Sequence, residues 1–176
     1  MHTGIDFSHE GLLEPFEISS GIFVPAGSYN NRELLFSVET NEGAPFSFRL
    51  GTRIGGFFNG DRLQIGPTLR WRRGERFTSE LNWTRNDVDL PTGNFVTDLC
   101  RIRLSYTLSS KSSLQALFQY NNVDDVWSTN LRYSWLRTSN TGLYIVYNDV
   151  RGFGGYDGAQ PNRGLLIKYS HLFDVL

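Results

Sequence analysis

Residues 62–72 read Arg62-Leu63-Gln64-Ile65-Gly66-Pro67-Thr68-Leu69-Arg70-Trp71-Arg72. Leu63, Ile65, Pro67, Leu69 and Trp71 alternate with Arg62, Gln64, Thr68, Arg70 and Arg72. A period of two sends successive side chains to opposite faces of a strand, so this run has one apolar side and one polar side. At about 11 residues it is twice the length of an ordinary strand.

The pattern repeats along the chain. Phe46, Phe48, Leu50 and Ile54 alternate with Ser47, Arg49 and Arg53. Cys100, Ile102, Leu104 and Tyr106 alternate with Arg101, Arg103 and Ser105. Trp127, Leu131, Tyr133 and Trp135 alternate with Ser128, Asn130, Arg132 and Ser134. Weaker runs centre on Leu34–Val38, Phe77–Trp83, Leu114–Tyr120, Leu143–Tyr147 and Leu165–Phe173, and a first strand is expected near Phe16–Val24. That makes about ten strands and no helical spacing. Residues 1–13 are expected to be a disordered leader, with the β domain over 14–176.

Composition agrees with an all-β chain. The 176 residues include 14% aromatics and 18 glycines, and 17 Lys plus Arg against 18 Asp plus Glu leave a net charge of -1. No excess of basic charge favours a nucleic-acid partner. No run approaches the roughly 20 apolar residues of a membrane-spanning helix. The single cysteine, Cys100, excludes an internal disulfide and a cysteine-based zinc site. It is expected to lie on the apolar face without a chemical role. No secretory signal is visible near Met1, so either the protein stays inside or the chain is a fragment.

Connections sort by rim. Short ones are expected at 41–44, 74–75, 109–111 and 139–140, and longer ones at 25–31, 87–94, 122–125 and 151–162, with a tight Asn59-Gly60 turn among the latter. Short turns at one end and long loops at the other describe an antiparallel up-and-down transmembrane β-barrel of the bacterial outer membrane. Strands of about 11 residues at roughly 3.4 Å each, tilted by about 40°, reach close to the height of a bilayer's apolar band. Only Lys111 and Lys168 are lysines. A polar face rich in Arg, Gln, Asn and Ser suits a networked interior better than a water-washed exterior. Aromatics gather at strand ends in two belts, Trp71, Phe77, Tyr106, Trp135 and Phe173 at one rim and Phe58, Trp83, Phe95, Tyr120, Trp127 and Tyr147 at the other. The competing architecture is a soluble lipocalin-like barrel with its apolar face inward, binding a lipid or small apolar ligand.

The lumen-facing polar set is then Arg49, Arg53, Arg62, Arg70, Arg72, Glu80, Arg101, Arg103 and Arg132. It either lines an anion path or pairs with Glu39, Glu80 and Asp98 and fills the lumen; the filled state is the expected one, because barrels near this size are just filled by side chains. At the long-loop rim an acidic set, Asp87, Asp89, Asp124, Asp125 and Asp149, could contact calcium or glycan hydroxyls, although Asn and Asp are also ordinary turn residues. Hydrolysis would need His, a nucleophile and an orienting carboxylate. The histidines are His2, His9 and His171. His171 is the one within the barrel, and its replacement by Ala should leave any activity intact. No catalytic residues, metal site or cofactor are expected. Gly51–Gly56 reads as a bend or bulge, and Gly152–Gly158 as a flexible loop.

Several motifs go further: Glu14–Ile18 with Val24–Tyr29, Arg85–Pro91 with Phe95 and Thr97–Leu99, Gln119–Val123 with Ser128–Arg132, Val146–Asn148, and Lys168–Ser170 with Leu172–Phe173. Together they resemble an uncharacterised family, a domain of unknown function. Its longer members join an N-terminal carbohydrate-binding module of the family 9 type to a C-terminal outer-membrane barrel. The resemblance implies that this chain is the C-terminal portion of a larger barrel. It also implies a non-enzymatic scaffold, anchor or narrow passage linked to glycan handling. The implied partners are outer-membrane lipid, glycan, and the assembly machinery that reads a C-terminal strand.

Overall fold

The computed structural model describes residues 1–138, 141–152 and 162–171. The turn expected at 139–140, most of the 151–162 loop, and Phe173 with the residues around it lie outside them.

The chain is antiparallel β throughout. Ten strands form one sheet in chain order: β1 (His2–Leu12), β4 (Gly27–Glu39), β5 (Phe46–Phe57), β6 (Gly60–Arg73), β7 (Phe77–Leu90), β8 (Gly93–Ser109), β9 (Ser112–Asn121), β10 (Val126–Thr138), β11 (Thr141–Gly152) and β12 (Asn162–Ser170). A separate hairpin, β2 (Phe16–Ser19) and β3 (Ile22–Val24), interrupts the connection between β1 and β4. Among the described residues no ladder joins β1 to β12, so they show a ten-stranded antiparallel sheet and no closed ring.

Three expectations are corrected. The leader is not disordered: β1 pairs with β4 from His2↔Ser37 to Leu12↔Gly27. Its own alternation, Ile5 and Phe7 against Asp6 and Ser8, is too short to announce a strand, and the ladder to β4 supplies the order. The strand expected near Phe16–Val24 is the β2–β3 hairpin, which turns at Gly21 with φ 76 and an amide donating to Glu17 Oε1. The expected long loops at 25–31 and 87–94 are strand, because β4 starts at Gly27 and β7 runs to Leu90, leaving Pro91 and Thr92 as the turn.

Partners directly opposite one another share a face, so the register assigns every side chain. One face carries Phe46↔Trp71, Leu69↔Leu81, Leu81↔Ile102 and Ile102↔Phe118. The other carries Arg70↔Glu80, Glu80↔Arg103 and Gln115↔Arg132. Trp71, Phe77, Tyr106 and Trp135 lie on the apolar face towards one rim, and Trp83, Tyr120, Trp127 and Tyr147 towards the other. The Trp71 and Phe77 rings meet edge-on with centroids 5.3 Å apart, and the Tyr120 ring centroid stands 5.0 Å from that of Trp127. Phe58 and Phe95 depart from the expected belt, since both join the buried cluster described next.

That cluster is small: Val24, Tyr29, Phe58, Val88 and Leu90, with Leu12, Ile18, Ile22, Phe57 and Phe95 packed against it. Leu12, Tyr29, Val88, Leu90 and Phe95 all project from the polar face by register, so the hairpin folds over that face at the rim of the β1–β4 connection. The neighbouring β5–β6 turn is centred on Phe58 and Asn59, at φ 49 and 65, one residue before the expected Asn59-Gly60. Both left-handed residues make it the hairpin turn whose twist matches the strands. Asn31 Oδ1 accepts from the Phe58 amide at 2.9 Å and holds this non-glycine in place.

Glycine is demanded at Gly55. Its φ is 150, and a Cβ there would stand 2.2 Å from the Arg32 carbonyl oxygen on β4. Gly55→Ala is expected to cost about 2 kcal/mol or more, read as a lowered unfolding midpoint by circular dichroism. Gly51→Ala, where a Cβ meets nothing within 4 Å, should stay within about 1 kcal/mol of the parent.

Candidate functional site

The polar face holds the candidates, since all nine residues of the expected polar set share it by register. They are not equivalent. Near the hairpin, Arg62 donates from Nε and Nη2 to Glu33 at 2.7 to 2.9 Å, and Arg53 Nη1 donates to the same carboxylate at 3.2 Å. The Glu33 side chain is 5% exposed and that of Arg62 18%. A planar guanidinium gripping both carboxylate oxygens gives geometry as well as charge. The Arg62 guanidinium also lies 4.2 Å from the Phe57 ring centroid, which ties the ion pair to the apolar cluster above it.

Glu33 was not among the expected residues. It lies in phase with Ser37 and Glu39 on β4, and that parity is its signal. Leu35 shares the polar face, so the run Leu34-Leu35-Phe36 reads as continuous rather than alternating and hides it.

Towards the other rim Arg49 pairs with Glu39 at 3.0 Å and with Glu42, and Arg70 with Glu80 at 2.8 Å. Arg72 donates to the Glu42 and Ala44 carbonyls. Asp98, expected among the inward partners, is on the apolar face instead, because it lies opposite Arg85. There it accepts from Arg85 at 3.0 Å and from Trp83 Nε1 at 2.9 Å. Arg101, Arg103 and Arg132 form no ion pair among the described residues. Arg103 stands opposite Glu80, whose carboxylate is taken by Arg70, and the Arg101 Nε is buried with no hydrogen-bond partner.

Between the Glu33 network and the Arg49 and Arg70 pairs lies a hollow of about 480 Å³. Ser37, Gly51, Arg53, Gln64, Gly66 and Thr84 are among the residues lining it. Ser37↔Gly51 and Gly51↔Gly66 are successive partners, so across these three strands that row of the polar face lacks large side chains.

The acidic residues of the rim are not gathered into one site. Asp87 and Asp89 are on β7, with Asp89 opposite Asp61. In the turn after β9, Asp124 accepts from Asn121 at 2.8 Å and Asp125 from the Tyr120 hydroxyl at 3.5 Å. Asp149 on β11 is held by Arg151 at 2.7 Å and Arg163 at 3.4 Å. No group of three or more metal-ligating side chains occurs among the described residues. Asp124 and Asp125 thus serve a turn and Asp149 serves ion pairs. His171 Nδ1 lies 2.9 Å from the buried Thr141 hydroxyl, and its ring stacks on Tyr169.

Removing one partner of an enclosed ion pair strands the other, so Glu33→Ala is expected to cost about 3 kcal/mol. Glu39→Ala, in an exposed and solvent-screened pair, should cost much less. Denaturant unfolding of both variants beside the parent checks the ranking. In comparisons with known proteins, no family model, no curated protein and no solved structure matches this chain.

Proposed function

We propose that this chain is an integral β-barrel of the bacterial outer membrane, formed when β1 pairs with β12, and that its role is non-enzymatic: a scaffold, an anchor or a narrow passage. The observation that carries this reading is the state of the apolar face. Phe7 is 70% exposed, Phe46 59%, Trp71 48% and Ile167 60%, and no second layer packs on them. Water-soluble monomers rarely leave so continuous an apolar surface uncovered. Lipid is the solvent that makes it favourable. The lipocalin-like alternative needs the opposite arrangement, with apolar residues enclosed, whereas here the enclosed residues include Glu33 and Ser47 on the polar face.

The register supports closure. The row of partners from Asp6 passes Glu33, Gly55, Arg62 and Val88 to Phe95 on β8. The row from Lys168 passes Tyr144, Ser134 and Ser113 to Thr107 on the same strand. Pairing Asp6 with Lys168 therefore closes ten strands with a stagger of about 12 residues. At roughly 3.4 Å per residue and about 4.8 Å between strands, that tilts the strands by about 40°, inside the range of such barrels. The same register sets Gly4–Leu12 against all of β12, keeps both faces in phase, and puts a cation opposite a carboxylate. A slip of two residues in either direction loses that charge pair.

The resemblance to a carbohydrate-module family makes a glycan-handling partner the natural cargo for such an anchor. Localisation in the outer membrane and delivery by the assembly machinery follow from the same reading.

Two measurements test it. Expressed behind an export signal and extracted in detergent, the protein should migrate faster in SDS unboiled than boiled; a single band with all protein in the soluble fraction overturns the membrane reading. In a Cys100→Ser background, Ser8→Cys with Leu166→Cys should cross-link under oxidation and Ser8→Cys with Gly164→Cys should not. Cross-linking of neither pair argues against this closure.

A further inference from the structure

We propose that the polar interior of this barrel is a passage for small anions, closed at the rim of the longer loops by the β2–β3 hairpin acting as a lid. This rests on the barrel reading above and goes beyond it in assigning a transported class and a gate.

The space comes first. Ten strands about 4.8 Å apart and tilted by about 40° enclose a backbone radius of about 10 Å, which long side chains can fill. They do not fill it along the row Ser37, Gly51 and Gly66. Glycine inside a strand weakens it and needs a reason, such as a left-handed φ or a close approach of backbone. Gly55 has both reasons. Gly51 has neither: its φ is ordinary for a strand, and a Cβ would meet nothing within 4 Å. Gly4, which also lines the hollow, is equally unconstrained. At Gly66 a Cβ would make only ordinary contacts, the nearest at 3.7 Å. What these glycines preserve is the empty volume itself.

The charge comes second. The carboxylates of the polar face near the hollow are already taken: Glu33 by Arg53 and Arg62, Glu39 by Arg49, and Glu80 by Arg70. Arg101, Arg103 and Arg132 project from the same face on β8 and β10 with no carboxylate partner among the described residues, and Arg101 carries a buried, unpartnered Nε. Closure brings the β8–β10 wall round to face the hollow across the interior. A water-filled path with small residues on one wall and uncompensated guanidinium groups on the other favours anions. The Arg-paired network and the path therefore coexist, the pairs occupying the two ends of the β4–β7 wall and the free arginines the opposite side.

The lid comes third. Ile22 reaches across the polar face to within 3.2 Å of the Cβ position of Gly93, and Val24 is 1% exposed against Val88, Leu90, Tyr29 and Phe58. The Tyr29 hydroxyl donates to the Pro25 carbonyl at 2.6 Å and ties down the segment that follows the hairpin. The main buried apolar cluster of the described residues is thus spent on seating four- and three-residue strands over the mouth. Directly beneath lies the Glu33 network, joined to the cluster through Arg62 and Phe57.

The test uses purified, detergent-folded protein in planar bilayers with potassium chloride, and each variant first has to show the heat-dependent mobility of a folded barrel. Ile22→Asp and, as a second route, replacement of residues 16–24 by a short Gly-Ser linker should raise the open-channel current at least several-fold over the parent. Under a salt gradient the zero-current potential should have the sign of chloride selectivity, and Arg101→Gln with Arg103→Gln and Arg132→Gln should move it towards zero or reverse it. Gly51→Trp in the lid-free background should cut the current several-fold. A folded lid-free barrel with no current above background, or one selective for potassium, overturns the passage; current equal with and without the lid overturns the gate. Loss of heat-dependent mobility in the parent itself would instead remove the barrel reading on which the inference rests.

Discussion

Everything in this protein depends on parity held through a long antiparallel ladder. Most strands alternate apolar and polar residues, and the pairings from β1–β4 to β11–β12 keep the two faces in phase. A one-residue slip at any hairpin would send every later side chain to the wrong face. The bulges in the ten-stranded ladder, near Thr107 and near Leu136, fall at strand ends next to the shorter turns, where they do not carry the phase error into a strand body.

Parity makes a single sheet with two incompatible solvents. The polar face satisfies itself through Glu33, Arg53, Arg62, Arg70 and Glu80, with side chains linked across neighbouring strands. The apolar face has no protein layer to satisfy it. An ordinary domain resolves that conflict with a second sheet or a layer of helices. Here the described chain spends its few buried apolar residues on seating a hairpin over one end of the polar face, which leaves the apolar face without a covering layer among the described residues. On the apolar face Trp83, Tyr120 and Trp127 share one register row with Arg151, and Tyr147 lies two positions along β11 from Asp149, which Arg151 and Arg163 hold.

Much of this was legible in the residues. The run Arg62–Arg72 declares its two faces without help, and so do Phe46–Ile54, Cys100–Tyr106 and Trp127–Trp135. The polar set assembled from them shares a face in the structure. Legibility failed where alternation was brief or interrupted. β1 offers only Ile5 and Phe7 as apolar members, so its order comes from β4. The segment 16–24 looks like a strand because it holds Phe16, Ile18, Ile22, Phe23 and Val24, and becomes a hairpin because Gly21 turns it back. Asp87 and Asp89 read as loop because of their composition, yet the ladder to β6 and β8 carries β7 through them.

The division is physical. Alternation with period two is a local property, so the sequence by itself determined that this is a two-faced antiparallel β protein with an Arg-rich polar side. Which carboxylate takes which arginine depends on residues brought together across strands. Only the tertiary structure could therefore decide that Glu33 is the enclosed partner of Arg62, that Asp98 serves the opposite face, and that three arginines have no carboxylate partner among the described residues. The hollow beside Gly51 and the hairpin seated at the rim of the same face belong to the same class, because empty volume and cover exist only once separate strands stand side by side.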